Sequence, residues 1–106
     1  MEKTYGEFCN VFGINPRNQI IEFLLETREL DYSIGDIAKE TDLNRATTYN
    51  TISELTNQGY LIKTRVISGT QLYKLDINKK EVKILIKVFN LVLDNITKEH
   101  KLKITA

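Results

Sequence analysis

The chain has 106 residues, 42% of them hydrophobic and 27% charged, a globular balance that supports one domain around one core. The single cysteine, Cys9, excludes an internal disulfide and a multi-cysteine metal site within one chain, and no apolar run approaches the roughly 18 residues of a membrane span. The N-terminal stretch carries Glu2, Lys3 and Glu7 where a signal peptide would be apolar, so a soluble, cytoplasmic protein is expected, with no membrane partner.

A net charge of +1 conceals an uneven distribution. Residues 1–44 carry four basic and nine acidic side chains, net −5. Residues 45–75 carry four basic against one acidic, and residues 76–106 seven against four, each net +3. A near-neutral chain of this kind can still present one basic face.

In chain order, residues 3–12 place Tyr5, Phe8, Cys9 and Phe12 on one helical stripe, closed by Gly13. Asn15-Pro16 reads as the N-cap and first residue of a helix running to about Thr27. Ile20, Ile21, Leu24 and Leu25 form its buried face, and Phe23 lies off that face toward another element. Ser33 and Asp36 have the spacing of a capping box, opening a short helix that buries Ile34, Ile37 and Ala38. Thr41-Asp42-Leu43 is a tight connection. Asn44 caps the next helix, which runs to about Gln58 with Thr48, Ile52 and Leu55 inside and Gly59 as its stop.

From Tyr60 the period drops to two. Leu61, Lys63, Arg65 and Ile67 are expected on one side of a strand, and Tyr60, Ile62, Thr64 and Val66 on the other. Ser68-Gly69-Thr70 is turn chemistry, and Leu72, Tyr73 and Leu75 lie on the returning strand of a hairpin. Asp76 or Asn78 is expected to cap a last helix reaching about His100. That helix has two apolar stripes: Val82, Leu85, Ile86, Phe89, Val92, Leu93 and Ile96 on one, Ile84, Val88 and Leu91 on the other. One stripe suffices to dock a helix on its own domain, so the second predicts a partner copy. A homodimer is expected, with Tyr5, Phe8, Phe12, Leu85, Phe89, Val92, Leu93 and Ile96 as its contact residues.

Helix, short helix, three-residue turn, helix and hairpin is the order of a winged helix-turn-helix. The outer face of the second helix of the pair offers Arg45, Ala46, Thr47, Tyr49, Asn50 and Ser53, side chains small or able to hydrogen-bond to base edges, with Asn44 at its start. Between Arg45 and Leu75 the sequence holds one acid, Glu54, a depletion that a phosphate-facing surface requires. Lys63, Arg65, Ser68, Gly69, Thr70 and Gln71 extend the expected double-stranded DNA contacts along the hairpin. The fold class expected is α+β, mostly α: one domain over 1–106, a DNA-binding core at 14–76 with a two-stranded wing, and helical dimerisation extensions at 1–13 and 77–106.

The run DIAKETDLNRATTYNTISELTNQGYLIKTRVISGTQLYKL resembles the winged-helix repressors of bacteria and archaea, such as the MarR, ArsR and IclR families. The resemblance spans Ser33 to Leu75. RATTYNTISEL is similar to the recognition helix of the ferric uptake regulators, with their Ala-Thr-x-Tyr segment, and that resemblance implies a DNA contact at Tyr49. Ferric uptake regulators add a His-rich metal domain. This chain has one histidine, His100, and with Cys9 that is too few ligands for a metal site, so neither a metal nor a cofactor is expected.

Cys9 sits on an apolar stripe and reads as a buried structural thiol. Glu22, Glu26, Glu29, Asp31 and Asp36 read as a solvated acidic face, without the nucleophile, histidine partner or glycine-rich loop that an enzyme would need. The function expected is a homodimeric transcription regulator that represses by covering a pseudo-palindromic site. The alternatives are a winged helix used for protein–protein contact and a plasmid or viral replication or partition DNA binder. A small-molecule effector between the DNA-binding lobe and the dimer helices fits this architecture, and no residue set identifies one.

Overall fold

A computed structural model describes the backbone of residues 6–105 and the side chains of residues 6–95. The predicted helix start at residues 3–5, with Tyr5, and the side chains of Ile96 and His100 lie outside the described residues. The elements follow the order α1 (Glu7–Phe12), α2 (Pro16–Glu26), β1 (Tyr32–Ser33), α3 (Ile34–Thr41), α4 (Arg45–Asn57), β2 (Leu61–Ile67), β3 (Thr70–Leu75) and α5 (Lys80–Thr105).

The helix starts were set by local side-chain chemistry. The Asn15 side chain accepts from the Asn18 N–H at 2.9 Å, with Pro16 at the first helical position. Ser33 accepts from the Asp36 N–H while Asp36 accepts from the Ser33 N–H, a complete capping box. Asn44 accepts from the Thr47 N–H at 2.7 Å. At the other end of α4, Gly59 adopts φ +84°, a left-handed turn that lets the Tyr60 N–H reach back to the Leu55 carbonyl at 2.9 Å. The expected cap of α5 is different. Asp76 forms a local turn, accepting from the Asn78 N–H at 3.0 Å, and the helix begins only at Lys80.

The core gathers Phe8 and Cys9 from α1, Ile20, Ile21, Leu24 and Leu25 from α2, Ile37 from α3, Ile52 and Leu55 from α4, Leu61 and Leu75 from the hairpin, and Val82 and Phe89 from α5. Burial of each large aliphatic side chain contributes about 1.5–3 kcal/mol. Phe23, predicted to meet another element, packs its ring against Tyr32, with centroids 4.9 Å apart.

Glu22 departs from the solvated acidic face expected for it. It is 7% exposed, and its carboxylate accepts the Gly6 N–H at 2.9 Å and the Cys9 N–H at 2.8 Å. Gly6 at the N-cap of α1 has no side chain of its own, so a carboxylate from α2 satisfies the helix start. A Cβ at Gly6 would lie 2.9 Å from that carboxyl group.

The sheet has three strands in the order β1-β3-β2, all antiparallel. The wing hairpin is the predicted pair β2 and β3. Strand β1 adds two residues to its root, pairing Tyr32 with Tyr73 and Ser33 with Leu72. The turn consists of Ser68 and Gly69, both left-handed (φ +49° and +79°), the backbone of a type I′ hairpin. Strict alternation along β2 is broken. Lys63 pairs with Tyr73 but Val66 pairs with Gln71, so Thr64 and Arg65 together oppose the single residue Leu72. This β-bulge gives Val66 the register position that regular alternation assigns to Arg65.

Candidate nucleic-acid interface

The second and third helices of the core, α3 and α4, are joined by the three residues 42–44, and Asp42 makes the turn in a left-handed conformation. Thr48, Ile52 and Leu55 fix α4 against the core, which leaves Arg45, Ala46, Tyr49 and Asn50 exposed on the opposite side, with Thr47 and Ser53 half-buried at its margins. Tyr49 is 58% exposed, so the phenol stands out from the helix and the three inner residues do the packing.

Two clefts converge on this helix. One, of about 300 Å³, brings Arg45 and Tyr49 together with Gly69, Thr70 and Gln71 of the wing and with Ser33, Ile34 and Gly35 at the start of α3. The other, of about 150 Å³, brings Tyr49 and Ser53 together with Lys63. Tyr73 lines both clefts and was absent from the sequence-based set. Its place on the middle strand, between β1 and β2, puts it at the centre of the surface. The start of α4 has no acid in its first turn, so the positive end of the helix and the Arg45 guanidinium reinforce each other there. The Arg45 guanidinium lies over Gly35 of α3, where a Cβ would stand in ordinary contact with it, 3.6 Å from Nη1.

Several predicted contact residues also have partners inside the protein. Asn44 caps α4 through its side-chain oxygen. The Gln71 amide nitrogen donates to the Arg65 carbonyl at 3.1 Å and the Leu72 carbonyl at 3.0 Å, tying the bulge. Arg65 donates from Nε and Nη2 to the two oxygens of Asp31, at 2.9 and 3.1 Å, and Thr64 donates to the same carboxylate at 2.6 Å. These bonds hold the Asp31 carboxyl well below the usual carboxylate range, at about 2, and push the Arg65 guanidinium further up. The acid-poor segment therefore regains one acid in space, delivered from the loop before β1. Ser68 lies exposed in the wing turn.

The expected dimer residues divide between two environments. Phe8 and Phe89 are buried in the core of the protomer. Leu85 and Val92 are half-buried, while Phe12 and Leu93 are exposed. On the second stripe of α5, Ile84 and Leu91 are exposed, Leu91 by 66%, and Val88 is half-buried. Phe8, Phe12 and Ile21 face Ile84, Leu85 and Val88 across a cleft of about 490 Å³. Among the described residues no helix is long and apolar enough to cross a membrane.

A helix pair with a solvent-facing second helix, followed by a hairpin on the same surface, is a winged helix-turn-helix, the architecture of winged-helix transcription regulators. The sequence profile of the HTH domain family matches residues 16–72, more than half of the chain, and the chain belongs to that family. Solved structures with this fold include reduced HlyU from Vibrio cholerae, 22% identical, with a TM-score of 0.59 over 74% of this chain and 77% of that one. The homodimeric winged helix-turn-helix DNA-binding domain of Mb0332 from Mycobacterium bovis, a possible ArsR-family regulator, is 20% identical, with a TM-score of 0.58 over 89% and 82% of the two chains. A mutant of MepR from S. aureus bound to an oligodeoxyribonucleotide is 14% identical, with a TM-score of 0.61 over 88% and 67%. No curated protein sequence matches the chain.

Proposed function

We propose that this protein is a homodimeric, sequence-specific DNA-binding regulator that represses by occupying a pseudo-palindromic promoter site. The observation that carries this reading is the exposed, acid-free face of α4 from Arg45 to Asn50, set between two clefts that it shares with the wing. That face has the chemistry of a major-groove reader: Arg45 suits guanine or phosphate, Asn50 suits adenine, and Tyr49 suits a phosphate or a thymine methyl. Residues 14–76 form the reading unit, and 1–13 with 77–106 form the dimer unit. The second stripe of α5, with Ile84 and Leu91 exposed and Val88 half-buried between them, supports the second copy, since a contiguous exposed apolar patch marks an interaction surface. In a two-fold dimer the two α4 helices meet half-sites roughly 34 Å apart.

The test is binding of the purified chain to random duplex fragments across a salt series, with selection for preferred sequence. Convergence on a short inverted repeat, with salt-sensitive affinity, is the expected result. No binding even near 50 mM salt refutes the reading and favours a winged helix used for protein contact.

A further inference from the structure

We propose that Asp31 is a positioning residue for the wing: it holds the bulge at Thr64 and Arg65 so that the outward edge of the Arg65 guanidinium is pre-oriented for a nucleic-acid phosphate. This inference rests on the DNA-binding reading above and assigns a role to an acid paired with an arginine of the wing.

Charge alone argues the opposite. An acid beside a phosphate-facing surface repels the ligand, and its removal should tighten binding. The geometry outweighs that expectation. The Asp31 side chain is 15% exposed while that of Arg65 is 63% exposed, so the acid is the fixed half of the pair and the guanidinium its presented half. Asp31 is itself anchored, because the next residue, Tyr32, is paired with Tyr73 in the sheet and packs its ring at a tilt against Phe23.

The guanidinium is engaged side-on through Nε and Nη2. A guanidinium has five N–H donors, so both hydrogens of Nη1 and one of Nη2 remain on its outer edge. The bulge gives β2 one residue more than β3, and the two residues that share that position, Thr64 and Arg65, both donate to Asp31. Gln71 holds the bulge from the other strand by donating to the Arg65 carbonyl. An exposed ion pair adds little to overall stability, so the visible product of this convergence is the direction in which Arg65 points.

The test is a double-mutant cycle in the full chain with Asp31→Asn, Arg65→Gln and the double variant. The probe is a labelled mixed-sequence duplex at low salt, because phosphate contacts are independent of sequence. Asp31→Asn is expected to weaken binding about three- to tenfold despite removing a negative charge, and to have no further effect once Arg65 is Gln. Thermal unfolding should stay close to wild type, and amide exchange of residues 64–67 without DNA should accelerate in Asp31→Asn. If Asp31→Asn binds as tightly as wild type or more tightly, the positioning role is overturned and Asp31 is only a repulsive charge. A wild-type chain that does not bind the duplex overturns the function reading and the phosphate role together. Unchanged exchange in Asp31→Asn overturns the anchor in either case.

Discussion

Glu22→Gln is expected to lower the stability of this protein by about 1–3 kcal/mol, although the substitution preserves size and shape. The two Glu22 oxygens have separate tasks, one accepting from the Gly6 N–H and the other from the Cys9 N–H. Glutamine retains one oxygen and replaces the other with an NH₂ group, so one backbone donor of α1 meets another donor. Cys9 is fully buried, and water cannot compensate at that position. Glu22→Ala removes both acceptors and should cost about 3 kcal/mol or more, with the first turn of α1 losing its cap. Gly6→Ala should act on the same joint from the other side, since its Cβ would displace the carboxylate. Urea unfolding gives the free energies, and amide exchange at Cys9 and Asn10 reports whether the loss is localised to α1. A Glu22→Gln variant within about 0.5 kcal/mol of wild type would refute the cap argument.

Arg45→Ala should weaken binding to the selected duplex by about 1–3 kcal/mol, measured by fluorescence anisotropy; unchanged affinity would remove α4 from the groove. Leu91→Glu should leave the protomer folded, because the side chain is already exposed, and raise the dimer dissociation constant by about a hundredfold or more in sedimentation velocity. An unaltered sedimentation profile would exclude the second stripe from self-association. The Asp31 carboxyl should titrate in NMR with a midpoint of about 2, against 3.8 for the unperturbed group. Because the folded value is depressed, the wing anchor is present above pH 3.8 and is lost as the pH falls toward 2; a midpoint near 3.8 would show that the pair is not formed in solution.

The caps and periods of the sequence were sufficient to place most elements, because those signals are local. Asn15, Ser33 with Asp36, and Asn44 each act within three residues, and each was legible. What escaped depends on residues distant in the chain. Strand β1 is two residues long and exists only because β3 lies beside it. Glu22 reaches across 13 and 16 positions, and nothing in a five-acid run distinguishes it from its solvated neighbours. Asp31 finds Arg65 across 34 positions, and the bulge that joins them cannot be read from an alternation that looks regular from Tyr60 to Ile67. Tyr73 was missed at the interface for a similar reason. In the sequence it looked like an ordinary member of the returning strand, beside Leu72 and Leu75.

The third strand sets limits on what a bound duplex could demand. With β1 and Asp31 fastening the hairpin to the body, only the tip beyond the bulge projects as a cantilever, closed by the two-residue turn at Ser68 and Gly69. A span held by those contacts acts as a gauge between the tip of the wing and the exposed face of α4. A duplex whose groove width does not match that gauge must itself bend or narrow. Part of the sequence preference would then come from how easily a site deforms, at base pairs that no side chain touches.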